Sequence, residues 1–172
     1  MGKQFNKRLY PNLREFLGDL GFILKRSDKM KVLMRAEVID EQFRERLMMA
    51  VTGVNGCRYC SYYHTQLALS AGIDPHELHA MGEQCFEHSP ADQQTALLYA
   101  QHWAESSAHP DPGAIACLRR EYTPEQVELI ELCLRTIRVG NLSGNLFDYL
   151  LFKLSFGKWG ASKKLTGSGV WK

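Results

Sequence analysis

The 172-residue sequence has no apolar run long enough to cross a membrane, and its first thirty residues have no signal-peptide core. The most apolar stretch near the start, residues 16–24, is short and is interrupted by Gly18, Asp19 and Gly21. No segment shows the alternation of apolar and polar residues expected of a β-strand. With 45% hydrophobic residues, the sequence predicts a single all-α domain with a sizeable core, located in the cytoplasm.

The sequence also has little net charge, +2, because strongly charged segments cancel one another. Residues 1–36 carry +6, residues 37–152 carry −9 and residues 153–172 carry +5. They predict a basic helical N-terminal extension, a core and a basic C-terminal tail. The basic residues are interleaved with apolar ones and form no known binding module, so we expect no nucleic-acid partner. We expect the basic ends to lie across the acidic core of the same subunit or of a neighbour.

Cysteine is scarce, and the five residues present are an odd number, so they do not indicate a disulfide framework. Cys117 and Cys133 lie in apolar helical contexts, which predict buried thiols that act as small hydrophobic side chains. Two others form the motif Cys57-Arg-Tyr-Cys60, and His64 follows four residues later. One functional pair with spare thiols is therefore the simplest interpretation.

Helical geometry places this pair and the histidine together. At about 100° per residue, Cys57, Cys60 and His64 fall on one face of a helix. Two cysteines three residues apart have Cα atoms roughly 5 Å apart, which a disulfide tolerates. We therefore expect the pair to alternate between dithiol and disulfide without unfolding the helix.

Glu45 is predicted to join the site through a reversal of the chain. It precedes Cys57 by twelve residues, about 18 Å along an unbroken helix. Gly53 and the Asn-Gly pair at 55–56 predict a break, because both residue types accept a left-handed backbone. In the resulting antiparallel hairpin Glu45 lies level with His64, and carboxylate, imidazole and thiol follow one another as in a proton relay. The alternative is a solvated glutamate, since Glu45 lies opposite the apolar stripe of its own helix.

Glu45, Cys57, Cys60 and His64, at this spacing, resemble the signature of the AhpD-like alkylhydroperoxidases within the carboxymuconolactone decarboxylase superfamily. The helical pattern on both sides is similar to the all-helical fold of that family, so the resemblance is expected to extend over residues 37–152. The sequence departs from the best-known member by having no histidine between the two cysteines, which leaves the physiological reductant open.

The resemblance implies reduction of a hydroperoxide without a cofactor. Cys60 thiolate would attack the peroxide and become a sulfenic acid, Cys57 would condense with it to a disulfide, and an external dithiol would restore the pair. That dithiol would be a lipoyl or thioredoxin-like protein. Glu45 and His64 would supply the base. The family and the charge asymmetry together imply a homo-oligomer, with a trimer as the first expectation, and no membrane partner.

The physical arguments for the attacking sulfur are divided. The positive end of a helix favours Cys57 as thiolate by about 1 kcal/mol near a surface. Cys60 is one turn from His64, and a charge-assisted hydrogen bond contributes roughly 1.5 to 3 kcal/mol. The base therefore favours Cys60, in agreement with the resemblance. Three tyrosines beside the pair, at positions 59, 62 and 63, are expected either to line an access route or to pack against another subunit.

Other functions remain open from the sequence. A structural zinc site would use four ligands of tetrahedral type, Cys57, Cys60, Cys85 and His88, but would leave His64 without a role. In a further alternative, the motif residues only fill a seam of the core. A thioredoxin-like oxidoreductase would need a βαβ context, which is missing. A lactone decarboxylase of the same superfamily would be expected to need no cysteine pair.

Helix starts are marked by a capping residue followed by proline, at 74–75, 89–90, 111–112 and 123–124. One or two further helices are predicted between Tyr10 and Arg35. The last of the marked helices is predicted to stop near residue 139, because Gly140, Asn141, Gly144 and Asn145 follow, and a second helix would then cover residues 146–154. This helix, break, helix order resembles that of residues 41–71 and suggests a weak internal repeat.

Overall fold

The structure, a computed structural model, describes residues 4–160 and contains eight α-helices and no β-strand in that range. The helices are α1 Leu13–Leu24, α2 Ser27–Met34, α3 Glu41–Asn55, α4 Arg58–Ser70, α5 Pro75–Gly82, α6 Ala91–Glu105, α7 Pro112–Glu121 and α8 Pro124–Leu154. The predicted all-α fold is confirmed, and the described chain offers no sheet for a thioredoxin-like site. None of the described helices is long and apolar enough to cross a membrane.

The helix hairpin formed by α3 and α4 turns where the sequence predicts. Asp40 caps the start of α3 by accepting a hydrogen bond from the Phe43 N–H, 2.7 Å. The helix ends at Asn55 and is capped by Gly56, whose φ of 69° lies in the left-handed region that glycine adopts without strain. Gly53 does not break the helix: a Cβ there would lie 2.0 Å from Nε2 of Gln84, so this glycine makes room for that side chain.

The predicted interruption of α8 is wrong, because Pro124–Leu154 is one continuous helix of 31 residues. Gly140 and Gly144 lie one turn apart on the face that meets the cysteine pair, and a Cβ at Gly144 would be 2.8 Å from Sγ of Cys57. Asn145 is fully buried and donates to the carbonyl of Asn55, 2.8 Å. The glycines and asparagines thus serve close packing and not a turn. Without a second hairpin, the predicted repeat fails.

The core surrounds α3, which packs against α4, α5, α6 and α8. Burial of its apolar side chains supplies the main driving force for assembling these helices. The largest fully buried apolar side chains include Ile39, Leu47, Leu97, Trp103, Leu129, Ile130, Leu132 and Leu134. The N-terminal half of α8 passes along one side of this core, and its C-terminal half reaches the start of α4.

The basic N-terminal extension lies across the acidic core of its own chain. Arg26 pairs with Glu128 at 2.9 Å and Lys29 pairs with Glu125 at 2.8 Å, both at the start of α8. Deeper in the contact, the buried carboxylate of Asp19 accepts from Arg138 at 2.7 Å. Two helices, α1 and α2, form the predicted extension. Of the predicted basic tail, residues 161–172 lie outside the described part of the chain.

Three of the four helix starts predicted from a capping residue followed by proline are confirmed, and the fourth is shifted by one residue. Helices α5, α7 and α8 each begin at the predicted proline, after Asp74, Asp111 and Thr123 respectively. Helix α6 begins one residue later than predicted, at Ala91, so that Pro90 occupies the cap position itself.

Candidate active site

The two cysteines of the motif lie where the α3–α4 hairpin meets α8. Cys57 is the capping residue of α4, just before the helix and not inside it as predicted, and its Sγ accepts from the backbone N–H of Cys60 at 3.4 Å. The two sulfurs are 2.9 Å apart and both are free thiols. Cys57 is only 1% exposed, whereas Cys60 is partly exposed. Oxidation to a disulfide would therefore need no rearrangement of α4.

The pair has one acidic sulfur. The hydrogen bond from the Cys60 thiol, helped by the backbone N–H groups of Tyr59 and Cys60 and by the charge of Lys7, lowers the pKa of Cys57 to about 7 in spite of its burial. The same contact raises the pKa of Cys60, because its proton is held by the neighbouring sulfur, and burial adds to this. The resting thiolate therefore lies on Cys57, where the sequence argument had favoured Cys60. The hydrogen bond from Cys60 is the largest cause, and the cap position of Cys57 adds the backbone N–H groups.

Glu45 and His64 form a hydrogen-bonded pair, as the chain-reversal argument predicts. Nδ1 of His64 lies 2.7 Å from Oε2 of Glu45. Glu45 is 1% exposed, so the alternative of a solvated glutamate is wrong: other elements cover that face of α3. Its second oxygen accepts from Nε of Arg44 at 3.1 Å. An ionised Glu45 keeps the His64 proton on Nδ1 and leaves Nε2 free to accept one.

The predicted order of the relay is present as two separate pairs. Glu45 contacts His64, and Cys60 contacts Cys57, but among the described residues no hydrogen bond joins His64 to Cys60. The two residues are four apart on α4, which places their side chains on neighbouring turns of the same face. The structure thus brings all four predicted residues to one region and leaves one gap in the chain of contacts.

A third group of residues at the site was missed by sequence reasoning. Asp148 of α8 is 1% exposed and contacts Lys7, Arg58 and Tyr59, the last two being the residues between the cysteines. One signal for it exists in the sequence, because Asp148 is the only charged residue in the apolar run 146–152. Its partners could not be found in that way, since they lie about 90 and 140 residues away along the chain.

The zinc alternative has no support in the structure. Cys57 and Cys60 are together, but Cys85 and His88 do not join them: within the described residues no group of three or more metal-binding side chains is placed to hold an ion. Among the spare thiols, Cys133 is fully buried as predicted, and burial raises its pKa. The prediction for Cys117 is wrong, because it lies on the exposed face of α7.

The three tyrosines beside the pair differ in their exposure and in their contacts. Tyr59 contacts Asp148 and stacks edge-on with Phe147 at a centroid distance of 6.2 Å. Tyr62 and Tyr63 are more than half exposed, and the Tyr63 ring meets the His64 ring edge-on at 5.2 Å. Both predicted roles, an access route and a contact surface, remain predictions.

Comparisons with known proteins agree with this architecture. Residues 28–102 match the model of the carboxymuconolactone decarboxylase family, from α2 to α6 and including the whole motif. A search of curated proteins found no match. Among solved structures, the chain is similar to a cysteine-to-alanine variant of the debrominase Bmp8 in complex with 2,3,4-tribromopyrrole. That similarity has a TM-score of 0.59 at 20% identity, covering 86% of this chain and 90% of the other.

The predicted resemblance to the carboxymuconolactone decarboxylase superfamily is thereby confirmed, and the chain has the helical fold of that superfamily. The family match ends at residue 102, short of the expected 152. For α7 and α8 the support is the structural similarity, which at this identity concerns the fold alone.

Proposed function

We propose that this protein is a thiol-dependent hydroperoxide reductase in which Cys57 and Cys60 alternate between dithiol and disulfide. The observation that carries the proposal is the pair itself, two free sulfurs 2.9 Å apart, one of which has a pKa lowered to about 7. A thiolate is the form of cysteine that reacts with peroxides. At neutral pH about half of the molecules would carry it.

Cys60 is the proposed attacking sulfur because it is the more exposed of the two. The proton that it shares with Cys57 moves onto Cys57, which leaves the charge on Cys60. Its sulfur attacks the terminal peroxide oxygen, the O–O bond breaks, and the alkoxide takes a proton to leave as an alcohol. Cys57 then attacks the sulfenic sulfur of Cys60 and releases water. In total, two thiols and one hydroperoxide give a disulfide, an alcohol and water.

The Glu45–His64 pair is proposed to move the protons of these steps. Nε2 of His64 accepts the one proton that the dithiol pair loses when it ionises, directly or through one water, and returns it to the departing alkoxide, while the proton that stays on Cys57 leaves with the water. Glu45 holds the ring in the required tautomer through the 2.7 Å contact and stabilises the imidazolium that forms. Arg44 in turn holds the Glu45 carboxylate in place by donating to its other oxygen.

Turnover requires an external dithiol to reduce the Cys57–Cys60 disulfide, and a lipoyl or thioredoxin-like protein in the cytoplasm is the proposed source. Attack on the more exposed Cys60 sulfur would release Cys57, whose low pKa makes it the better leaving group. No cofactor takes part. A homo-oligomer, with a trimer as the first expectation, is proposed as the working form.

Steady-state consumption of cumene hydroperoxide, with dihydrolipoamide as reductant, tests the function. We expect turnover by the unmodified protein and by Cys117→Ser, which removes an exposed thiol outside the site. Cys57→Ser and Cys60→Ser should both abolish turnover. Equal activity in these two variants and the unmodified protein would mean that the pair does not carry the reaction.

Trapping of the sulfenic acid assigns the roles within the pair. In Cys57→Ser, one equivalent of peroxide should leave a sulfenic acid on Cys60 that dimedone captures. In Cys60→Ser, no sulfenic acid should form. Mass spectrometry that finds the dimedone adduct on Cys57 instead would reverse the assignment and make Cys57, the more acidic sulfur, the attacking group.

Reductive debromination is a second candidate, favoured by the similarity to the debrominase Bmp8. The same dithiol could supply the two electrons that replace a carbon-bound bromine by hydrogen, giving a disulfide and bromide. Release of bromide from 2,3,4-tribromopyrrole, dependent on both cysteines and faster than peroxide consumption, would favour this candidate over the first.

A further inference from the structure

We infer that Asp148 and Lys7 are positioning residues of the thiol site: the buried Asp148 carboxylate fixes the two residues between the cysteines and holds the Lys7 ammonium beside them. The N-terminal segment, residues 4–10, thereby completes the site. The inference rests on the redox role proposed above for the cysteine pair, but its contacts are independent of the substrate.

The Asp148 carboxylate uses both of its oxygens. Oδ1 accepts from Nη2 of Arg58 at 2.7 Å and from the Tyr59 hydroxyl at 2.8 Å, while Oδ2 accepts from Nζ of Lys7. One buried carboxylate therefore joins three parts of the chain: the N-terminal segment, the first turn of α4, and α8. Such a group is costly to bury unless it is paired in this way.

The Lys7 side chain is held in place by the segment that carries it. The backbone carbonyl of the next residue, Arg8, accepts from Nδ2 of Asn145 at 2.9 Å, and Arg8 donates to the carbonyl of Ala104 at 2.6 Å. Two residues before Lys7, the Phe5 ring packs against Tyr149 with centroids 5.3 Å apart. Only 6% of the Lys7 side chain is exposed, so salt screens its charge less than that of a surface lysine.

The two residues between the cysteines are fixed by the same carboxylate. Arg58 also donates to the Tyr59 hydroxyl at 2.7 Å, and Tyr59 lies close to α8, where a Cβ at Gly144 would be 3.3 Å from its ring. These residues form the first turn of α4, whose backbone N–H groups point at Cys57. Holding them still holds the donors that stabilise a thiolate there.

The charged side chains near Cys57 favour its thiolate form. Lys7 and Arg58 are positive and Asp148 is negative, so the cluster carries one surplus positive charge near Cys57. The other titratable neighbours are Tyr59 and Cys60 on α4, with the Glu45–His64 pair beyond Cys60. In agreement with this arrangement, the charge of Lys7 contributes to the lowered pKa of Cys57.

The test is an ultraviolet titration of the thiolate in protein whose Cys85 and Cys117 are replaced by serine. Lys7→Met should raise the pKa of Cys57 by about half a unit or more, about a twofold loss of thiolate at pH 7, because a cation is lost and Asp148 is left without it. Lys7→Arg should keep the unmodified profile. The control Lys29→Met removes another ion pair of α8, with Glu125 at 2.8 Å, and should leave the titration unchanged.

A double variant, Lys7→Met with Asp148→Asn, separates electrostatics from simple packing. It removes both charges while it keeps acceptors for Arg58 and Tyr59, so the thiolate fraction should return close to that of the unmodified protein. A titration of Lys7→Met that coincides with that of Lys29→Met would overturn the inference. The inference would also be overturned if the Cys57 pKa of the double variant lay further from that of the unmodified protein than the Cys57 pKa of Lys7→Met does. Packing contacts, and not charges, would then set the pKa of Cys57.

The titration needs neither peroxide nor reductant, so its outcome is separate from that of the proposed function. If the pKa of Cys57 shifts as expected but neither the unmodified protein nor any variant consumes hydroperoxide, the inference stands and the peroxidase proposal fails. If the protein turns over peroxide and Lys7→Met titrates like the unmodified protein, the proposed function stands and the inference fails.

Discussion

Replacing Cys60 by alanine should move the ionisation of Cys57 back toward that of an ordinary thiol. The lowered pKa of Cys57 has the hydrogen bond from the Cys60 thiol as its largest cause, ahead of the backbone N–H groups and Lys7. A shift from 9 to about 7 corresponds to about 3 kcal/mol in favour of the thiolate. If Cys60 supplies half of that or more, Cys60→Ala raises the pKa of Cys57 by at least about one unit.

The expected change is large enough to measure directly. At pH 7 the thiolate fraction of Cys57 should fall from about one half to about a tenth or less. Because the folded-state pKa is lowered, the thiolate is present above pH 7 and is lost as the pH falls through that value. In Cys60→Ala the loss should begin at a higher pH. Thiolate absorbance is followed from pH 5 to 10 in protein whose Cys85 and Cys117 are replaced by serine. The two titrations give the pKa of Cys57 with Cys60 present and with Cys60→Ala.

Cys60→Ser is the matched control, since its hydroxyl has a similar size and can still donate to Cys57. We expect its titration midpoint to lie between those of the unmodified protein and Cys60→Ala. If Cys57 keeps a pKa of about 7 in Cys60→Ala, the second sulfur is not what makes the first one acidic. The lowered pKa would then have to come from the helix N-terminus and Lys7.

The remaining predictions concern the relay, the packing of α8 and the assembly. Glu45→Gln should slow peroxide reduction by about ten- to a hundredfold near neutral pH, with part of the loss recovered at alkaline pH as the thiol ionises unaided; a uniform loss at all pH values would contradict the relay. Gly144→Ala should lower the free energy of unfolding by about 1 to 3 kcal/mol in urea denaturation, because its Cβ would lie 2.8 Å from the Cys57 sulfur. Gly140→Ala is the control, since its Cβ would be 3.8 Å from the nearest atom, an ordinary contact, and equal effects of the two changes would refute the packing argument. Light scattering at micromolar concentration should show an oligomer; a species of about 19.6 kDa would contradict it.

The hairpin and its Glu45–His64 contact could be predicted from the sequence because they depend on local rules. A left-handed residue was required at one position, Gly56, and once the chain reverses there the helical rise places Glu45 beside His64. The burial of Glu45 did not follow from these rules. It depends on the elements that cover α3, and these come from distant parts of the chain.

Helix α8 shows where local rules fail. Glycine and asparagine have low helix propensity, so a break after residue 139 was a reasonable prediction. In the structure, Gly144 instead allows contact with Cys57, and Asn145 instead bonds the end of α3, so that tertiary contacts outweigh propensity. Cys117 is a smaller case of the same kind: its sequence neighbours are apolar, yet its own face of α7 is exposed.

The Asp148 cluster could not be predicted at all from the pattern of residues. The contact between Lys7 and Asp148 joins positions 141 residues apart, and neither residue belongs to the motif. The exact place of Cys57 was also not predicted, because Cys57 precedes α4 as its cap and does not lie inside it. A shift of one residue in the start of α4 decides which sulfur accepts hydrogen bonds from the backbone N–H groups.

A single-turnover titration of the reduced protein tests the central claim most directly. Cumene hydroperoxide is added in steps to protein free of reductant, and free thiols and alcohol product are counted after each step. One equivalent should remove two thiols, yield one equivalent of alcohol, and give a peptide map with a Cys57–Cys60 disulfide while Cys133 stays free. Unchanged thiols at several equivalents, or a disulfide formed without alcohol, would contradict the account.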